Sequence, residues 1–228
     1  MESIMPRLDI WLVEQGYFSS RQTAKRAIRE GHVKVNGVIA KPSKNVTNSD
    51  SIIVSDVLQD YPIGYTKLER INEKTEGRLL ESVNLALDIG SSAGGFLAYL
   101  GEHAIKAIGI EVSEEFTDNL EKITKTHPSV SILIDDAFTL NPSIICRENE
   151  LDLLLIDVTT DPEGTLELVN KFSSLLRAGG ILVAAFKSKE SREAIRQLHD
   201  RISKLDFTDI QDIILDKSRQ EIHIIASR

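Results

Sequence analysis

Seven apolar segments of strand length recur between Leu85 and the end of the chain, and they restrict the possible folds more than any other feature. In chain order they read LALDIG, AIGIEV, VSILIDD, LDLLLIDV, ILVAAFK, IQDIIL and EIHIIAS. Short apolar runs bounded by turn residues are typical of strands that are buried in a sheet. Segments with helical character separate the first five runs, and strands that alternate with helices predict a parallel sheet with helices on both faces.

The connection between the last two segments makes the topology more specific. Only the five residues DKSRQ join IQDIIL to EIHIIAS, which is too short for the crossover helix that a parallel pair requires. We therefore expect a β-hairpin, in which the final strand runs antiparallel to the others. The predicted fold class is α/β, with a Rossmann-like seven-stranded sheet whose last strand is antiparallel.

Charged residues stand where the predicted strands reach one edge of this sheet. The second to fifth strands are followed by Glu111, Asp136, Asp157 and Lys187, and the antiparallel last strand begins with Glu221. Open α/β sheets bind their ligands at the carboxyl ends of their parallel strands. Taken alone, Lys187 is more simply interpreted as the solvated end of a core strand. Five charged residues at one rim favour a functional site instead.

A glycine-rich loop, DIGSSAGGF, follows the first predicted strand. Its small residues would let backbone amides approach a ligand, and the next helix would direct its N-terminus at the same ligand. The loop lacks the G-x-G-x-x-G spacing of dinucleotide-binding proteins. We expect Glu111 to bind both hydroxyls of a ribose, and Asp136 to accept a hydrogen bond from an adenine amino group. The candidate cofactor-binding residues are Asp88, Gly90, Ser91, Ser92, Ala93, Gly94, Gly95, Phe96, Glu111 and Asp136.

The N-terminal part of the chain carries a positive charge that the net charge of −8 conceals. From Ser19 to Lys44 there are seven Lys and Arg residues and one acidic residue, Glu30, which gives +6 over 26 residues. A basic patch on an acidic protein indicates a polyanionic partner at that end. The alternative is a charged face that is merely solvated.

The same region has the pattern of a small α+β domain. Helical spacing of apolar residues predicts a first helix that ends at Gly16 and a second helix that Ser19 or Ser20 caps. HVKVNG then alternates like a strand and ends in an Asn36-Gly37 turn, and SIIV predicts a later strand of the same small sheet. One face of the second helix carries Arg21, Lys25 and Arg29.

This pattern resembles the S-four-type RNA-binding domain over residues 6–54. The matching positions are Arg7, Leu8, Asp9, Gly16, Ser20, Arg21, Ala24, Ile28, Gly31, Val33, Val35, Asn36 and Gly37. The resemblance implies that the second helix and the hairpin lie against structured RNA, where Lys and Arg contact phosphates without reading sequence. The candidate RNA-binding residues are Arg7, Ser20, Arg21, Lys25, Arg29, Lys34 and Asn36.

Residues 67–228 resemble class I S-adenosylmethionine-dependent methyltransferases, through the glycine-rich loop and the acidic residues at the strand ends. The closer resemblance is to the FtsJ-like ribose methyltransferases, which share a Lys-Asp-Lys-Glu tetrad. Carried over to this chain, the catalytic tetrad is Lys67, Asp157, Lys187 and Glu221. The segments YPIGYTKLER and SKES depart from that pattern, and DDAF and AAFKSKES are similar to the fibrillarin group instead.

An S-four-type domain followed by an FtsJ-like domain resembles the TlyA family, whose members are named both haemolysins and ribosomal-RNA methyltransferases. These resemblances imply an RNA-binding domain in residues 1–60, a methyltransferase domain in residues 61–228, S-adenosylmethionine as the cofactor, and ribosomal RNA or a ribosomal subunit as the partner. The implied reaction is methyl transfer to a ribose 2′-hydroxyl. Lys187 would polarise or deprotonate that hydroxyl, with a pKa that Lys67 and burial lower. Asp157 would orient Lys187, and Glu221 would hold Lys67.

Three other functions stay open at this stage. The chain could be an RNA-binding protein whose methyltransferase-like domain no longer catalyses, although an intact tetrad argues against this. A haemolytic function rests on the family name alone. Methylation of a base is disfavoured, because Cys146 is not at a strand end and Asp157 begins DVTT rather than an Asn-Pro-Pro-Tyr motif.

Composition excludes several further classes. No run reaches the 18 apolar residues of a membrane span, and the N-terminus lacks a signal-peptide pattern, so we expect a cytoplasmic protein without a membrane partner. The single Cys146 fits a reducing compartment. The five histidines are scattered, and no metal site is expected.

Overall fold

The computed structural model describes residues 6–15, 17–18, 21–47, 49–54, 62–188, 191–216 and 220–228. The chain divides into two compact units, Met1–Ile63 and Gly64–Arg228. The expected domain boundary between residues 60 and 61 lies outside the described residues and stays a prediction.

The first unit is the small α+β domain that the sequence predicts. Its elements are α1 (Leu8–Glu14), α2 (Arg21–Arg29), β1 (Val33–Val35), β2 (Val38–Ile39) and β3 (Ile52–Val54). Strand β1 is central and pairs antiparallel with both neighbours. The turn between β1 and β2 places Asn36 and Gly37 at φ of 53° and 81°, as a tight hairpin turn requires. Gly16, Ser19 and Ser20 lie outside the described residues.

The second unit contains the expected seven-stranded sheet. Its strands are β4 (Leu85–Ile89), β5 (Lys106–Glu111), β6 (Val130–Ile134), β7 (Leu151–Ile156), β8 (Leu176–Lys187), β9 (Thr208–Ile213) and β10 (Glu221–Ser227). The spatial order is β6-β5-β4-β7-β8-β10-β9. Strands β4 to β8 are parallel, and β10 runs antiparallel between β8 and β9. The predicted fold class is therefore confirmed.

Five helices accompany this sheet among the described residues, and one predicted connection is different. The helices are α3 (Ile63–Lys74), α4 (Gly95–Glu102), α5 (Thr117–Thr126), α6 (Pro162–Phe172) and α7 (Arg192–Ser203). The expected helix between β6 and β7 is a single 3-10 turn, Pro142–Ile144. A turn at Asp136 and another at Arg147 occupy much of this connection, which leaves too few residues for an α-helix. Strand β9 begins two residues earlier than predicted.

Apolar side chains cover both faces of the sheet. All six residues of β7 are buried; Leu154 and Ile156 pack in one cluster with α6, whereas Leu153 and Leu155 pack in the other with α3 and α4. A strand buried on both faces needs apolar residues at successive positions, which explains the continuous runs in the sequence. The polar residues that follow these runs are left at the carboxyl edge of the sheet.

Candidate active site and RNA-binding surface

Four residues from distant parts of the chain meet at this edge. Strand pairing sets Lys187 opposite Glu221, Asp157 directly follows β7, and Lys67 comes from α3. Lys67 Nζ lies 2.5 Å from Asp157 Oδ2 and 2.7 Å from Glu221 Oε1. Lys187 Nζ lies 2.8 Å from Asp157 Oδ1 and also contacts Glu221 Oε2. The result is a closed ring in which each lysine bridges both carboxylates, and we call these four residues the charge ring.

The charge ring holds its carboxylates ionised. Burial of Asp157 opposes its charge, but Lys67 and Lys187 outweigh burial and hold the pKa of Asp157 below its usual range. Burial likewise opposes the charge of Glu221, yet the adjacent His223 ring and the two lysines keep its pKa well below normal.

The pKa of Lys187 corrects the expectation drawn from the sequence. Burial lowers this pKa as anticipated, but attraction and hydrogen bonding to Asp157 and Glu221 raise it overall above the usual lysine value. The expectation was wrong because each acid was assigned to one lysine, whereas both acids contact Lys187. Lys187 is therefore an ammonium in this structure, and an ammonium donates three hydrogen bonds and accepts none.

The glycine-rich loop is built differently from the expectation. The amides of Gly90 and Ser91 donate to the carbonyl of Ile110, and the amide of Ser92 donates to Glu111 Oε2 at 2.7 Å. The amide of Gly94 donates to the carbonyl of Ser91. Three of these amides hold the loop against β5 and the fourth bonds within the loop, so none of the four is the free donor that the sequence suggested.

Two glycines of this loop are required by close contacts within the protein. A Cβ at Gly90, where φ is +85°, would lie 2.7 Å from the carbonyl oxygen of Asp157. A Cβ at Gly95 would lie 2.4 Å from the backbone nitrogen of Tyr65, so Gly95 lets α4 approach α3. A side chain at Gly90 would therefore collide with the residues that follow β7. The aromatic ring of Phe96 is buried, with Lys67 Nζ 6.0 Å from its centroid.

Asp88 is a buried acidic residue on β4. It is 1% exposed, and neither carboxylate oxygen has a hydrogen-bond partner among the described residues. The neighbouring Ser91 hydroxyl donates to the backbone carbonyl of Asp88, not to its carboxylate. Burial raises the pKa of Asp88 to about 7, and the charges of Asp157 and Glu111 add to the effect. A buried carboxylate without a partner fits a cationic ligand, and S-adenosylmethionine carries both an ammonium and a sulfonium.

The two other predicted acids hold defined positions. Glu111 is buried at the end of β5, where its carboxylate accepts hydrogen bonds from the amides of Ser92 and Ser113 at 2.7 and 2.8 Å. Each of its oxygens keeps a second lone pair that can accept from a ribose hydroxyl. Asp136 Oδ1 accepts from the amide of Phe138 at 2.9 Å, which fixes the turn after β6.

Two exposed apolar residues beside these acids were missed in the sequence. Val112 is 67% exposed and Phe138 is 37% exposed, and they follow Glu111 and Asp136 closely in the chain. Contiguous exposed apolar surface marks ligand-binding grooves, whereas single exposed apolar residues are common. The available signal was their place one and two residues after strand-ending acids. Ala93, the remaining candidate of the glycine-rich loop, lies in the turn between Ser92 and Gly94.

In the first unit, a buried acid organises the basic face. Asp9 is completely buried at the start of α1, and its carboxylate contacts Arg7 at 3.0 Å, Arg21 at 3.2 Å and Lys25 at 3.6 Å. Burial opposes its charge, but the hydrogen bonds from the two arginines keep the pKa of Asp9 below its usual value. Three cations around one anion leave a net positive cluster whose basic side chains are 33% to 52% exposed.

The remaining RNA-binding candidates are placed unevenly. Arg29 on α2 and Lys34 on β1 are exposed. The side chain of Asn36 ties the β1–β2 turn to the segment before β3, since it donates to Asp50 at 2.7 Å and accepts from the amide of Ser51 at 2.8 Å. The sequence indicated Asn36 as a turn residue but not this bond to the segment before β3. Ser20 lies outside the described residues.

Neither a metal centre nor a spanning helix occurs in the described parts of the chain. No group of three or more His, Cys, Asp or Glu side chains there could hold a metal ion. None of the helices within those ranges combines the length and apolar character needed to cross a membrane.

The seven-stranded sheet with its antiparallel strand β10 has the fold of class I S-adenosylmethionine-dependent methyltransferases. The sequence profile of the S4 domain matches residues 6–52, and that of the FtsJ-like methyltransferases matches residues 64–211. Because the second match covers more than half of the chain, the chain belongs to the FtsJ-like methyltransferase family and carries an N-terminal S4 domain. The expected architecture and the expected cofactor, S-adenosylmethionine, are confirmed.

Individual proteins support this assignment. Hemolysin A of Brachyspira hyodysenteriae is 36% identical over 108 residues, which are 45% of this chain and 42% of the relative. The chain spans less than half the length of the curated relatives it matches.

Solved structures share the fold. A protein described as a hemolysin from Streptococcus thermophilus has a TM-score of 0.57 at 19% identity, covering 97% of this chain and 86% of that one. Aeropyrum pernix fibrillarin, solved with natively bound S-adenosyl-L-methionine, has a TM-score of 0.52 at 19% identity, covering 63% and 66%.

Proposed function

We propose that this chain transfers the methyl group of S-adenosylmethionine to a ribose 2′-hydroxyl of structured RNA, with ribosomal RNA as the preferred substrate. The observation that carries the proposal is the charge ring, which combines two lysines and two acids at the rim of a methyltransferase sheet. Membership of the FtsJ-like family and an S4 domain with a positive cluster support an RNA acceptor. A ribosomal substrate would place the reaction in the cytoplasm.

The donor would lie along the carboxyl ends of β4, β5 and β6. Asp88 supplies the buried negative charge for a cationic group of the donor, and Glu111 is anchored to accept from its ribose hydroxyls. Val112 and Phe138 offer apolar surface to the adenine, and Asp136 can accept from the adenine amino group. When bound, the donor supplies an electrophilic methyl carbon attached to a positively charged sulfur.

The charge ring would orient the acceptor. Lys187 uses two of its three N–H groups on Asp157 and Glu221, and the third can donate to one lone pair of a 2′-hydroxyl oxygen. The other lone pair is then directed at the methyl carbon, and the displaced electron pair stays on sulfur. Bond formation makes the hydroxyl strongly acidic, so even a carboxylate of low pKa such as Asp157 can accept its proton. Most of the acceleration comes from holding the two reactants in line.

The acceptor is tested by identifying the methylated nucleoside. Ribosomal subunits from cells that lack this gene are incubated with the protein and methyl-labelled donor, and the RNA is digested for mass spectrometry. We expect a 2′-O-methylnucleoside with the wild type and with Lys125→Ala, which removes an exposed lysine paired only with Glu121 among the described contacts. We expect about 10²–10⁴-fold less of it with Lys187→Ala. A base-methylated nucleoside as the only product would refute the ribose assignment.

A further inference from the structure

His223 lies behind the charge ring and has no role in the reaction as described above. It stands on β10 two residues after Glu221, so both side chains project from the same face of that strand. Its side chain is 2% exposed, with Nε2 located 3.0 Å from Glu221 Oε1. On the other side of the imidazole, Nδ1 of His223 lies 3.3 Å from the backbone carbonyl oxygen of Ile213 on β9.

The surroundings of this imidazole decide where its protons are. A backbone carbonyl accepts hydrogen bonds and cannot donate, and an ionised carboxylate is also only an acceptor. Glu221 is ionised because Lys67 and Lys187 contact it directly. A bare lone pair on Nε2 of His223 would therefore face a negative oxygen at 3.0 Å and be repelled. Nε2 must carry a proton, although its alignment is too poor for a good hydrogen bond, so the attraction is mainly electrostatic.

The two oxygens of Glu221 are consequently used differently. Oε1 is approached by both Lys67 at 2.7 Å and His223 at 3.0 Å, whereas Oε2 contacts Lys187. A glutamate side chain has several rotatable bonds, and a buried donor behind it limits their freedom. With Oε1 fixed on the buried side, Oε2 stays directed at Lys187.

We infer that His223 is a positioning residue, which fixes the Glu221 carboxylate so that Lys187 keeps the orientation needed to meet the acceptor hydroxyl. The inference has two halves. The first half is that a protonated Nε2 of His223 fixes the Glu221 carboxylate, which concerns the donor-free protein alone and can be tested without any substrate. The second half is that Lys187 thereby keeps the orientation needed to meet the acceptor hydroxyl, and this half deepens the proposed function and rests on it.

Nitrogen NMR of the full chain, labelled in histidine, tests the first half. The protein has five histidines, and the His223 signals are those that disappear in His223→Gln. We expect a protonated Nε2 whose shift changes in Glu221→Gln, because that substitution removes the negative charge beside it. An unprotonated Nε2 in the wild type would overturn the inference.

A matched pair of variants tests the second half. Gln places its amide nitrogen three bonds from Cβ, as His places Nε2, whereas Asn places its nitrogen two bonds from Cβ, as His places Nδ1. We expect His223→Gln to keep methyl transfer within about threefold of wild type, and His223→Asn to lose about tenfold in kcat, since displacements of an ångström cost up to about 10²-fold. The KM for the donor and the Tm should be alike in the two variants.

The outcomes separate the inference from the proposed function. Equal kcat values for the Gln and Asn variants, or a loss of kcat that follows a loss of Tm, would overturn the role of His223 only. If the wild type forms no 2′-O-methylnucleoside, the proposed function fails, while the protonation of Nε2 remains a separate result.

Discussion

Replacing Gly90 with alanine should disturb the charge ring through the backbone of Asp157. A Cβ at this position would lie 2.7 Å from the Asp157 carbonyl oxygen and 2.8 Å from Val158 Cγ1, with φ at +85°. Left-handed backbone costs an alanine about 1–2 kcal/mol. Overpacking against a fixed backbone atom adds about 1–3 kcal/mol. The expected loss of unfolding free energy is therefore roughly 2–5 kcal/mol, or a decrease in Tm of roughly 4–20 °C.

Gly77→Ala is the matched control. Gly77 has φ of +81°, yet nothing lies within 4 Å of an added Cβ, so this variant carries the backbone strain without the collision. We expect it to lose only about 1–2 kcal/mol in urea unfolding and to keep methyl transfer. Gly90→Ala should lose more stability and also turnover. If both variants lose the same stability and both keep methyl transfer, the contact with Asp157 is not the reason why a glycine is needed at position 90.

Three further predictions concern charged groups. Because burial raises the pKa of Asp88 to about 7 from 3.8, the folded donor-free protein binds a proton that the unfolded chain releases. Its stability should thus fall as pH rises from about 4 to about 7 in urea unfolding; Asp88→Asn should lack this loss, and identical profiles would contradict it. Lys187→Ala should lower methyl transfer by about 10²–10⁴-fold. Because Lys187 acts as an ammonium, wild-type turnover should not rise tenfold per pH unit between about pH 7 and 9. It would rise in this way if Lys187, whose pKa its neighbours raise, had to lose its proton first. In titrations of RNA binding against salt, replacing three of the four basic residues of α2 with alanine should reduce the logarithmic slope by about 2–3, and an unchanged slope would exclude phosphate contacts. These residues are Arg21, Lys25 and Arg29.

Much of the fold could be predicted because it depends on short-range patterns. Each core strand of the sheet is buried on both faces, so its sequence is a continuous apolar run, and the short DKSRQ connection enforces an antiparallel last strand. That topology brings the ends of β7 and β8 and the start of β10 to one edge, which is why Asp157, Lys187 and Glu221 could be grouped from sequence.

The electrostatics of the site could not be predicted in the same way. The direction in which the Lys187 pKa moves depends on whether one carboxylate or two lie within contact distance, and those carboxylates are 30 and 34 residues away. His223 has the sequence context of an ordinary strand residue, and only the fold shows that it touches Glu221. Arg7, Arg21 and Lys25 were predicted as phosphate contacts, but their attachment to the buried Asp9 became visible only when α1 and α2 were packed together.

The most direct test of the central claim removes the acceptor oxygen itself. Once the modified nucleotide is known, an RNA fragment that is a substrate is synthesised with a single 2′-deoxynucleotide at that position, and transfer of labelled methyl is compared with that to the all-ribose fragment. If the charge ring orients a 2′-hydroxyl, the deoxy fragment should bind with the same salt dependence and accept no methyl. Undiminished transfer to the deoxy fragment would contradict the account, because the methyl would then be going to a base.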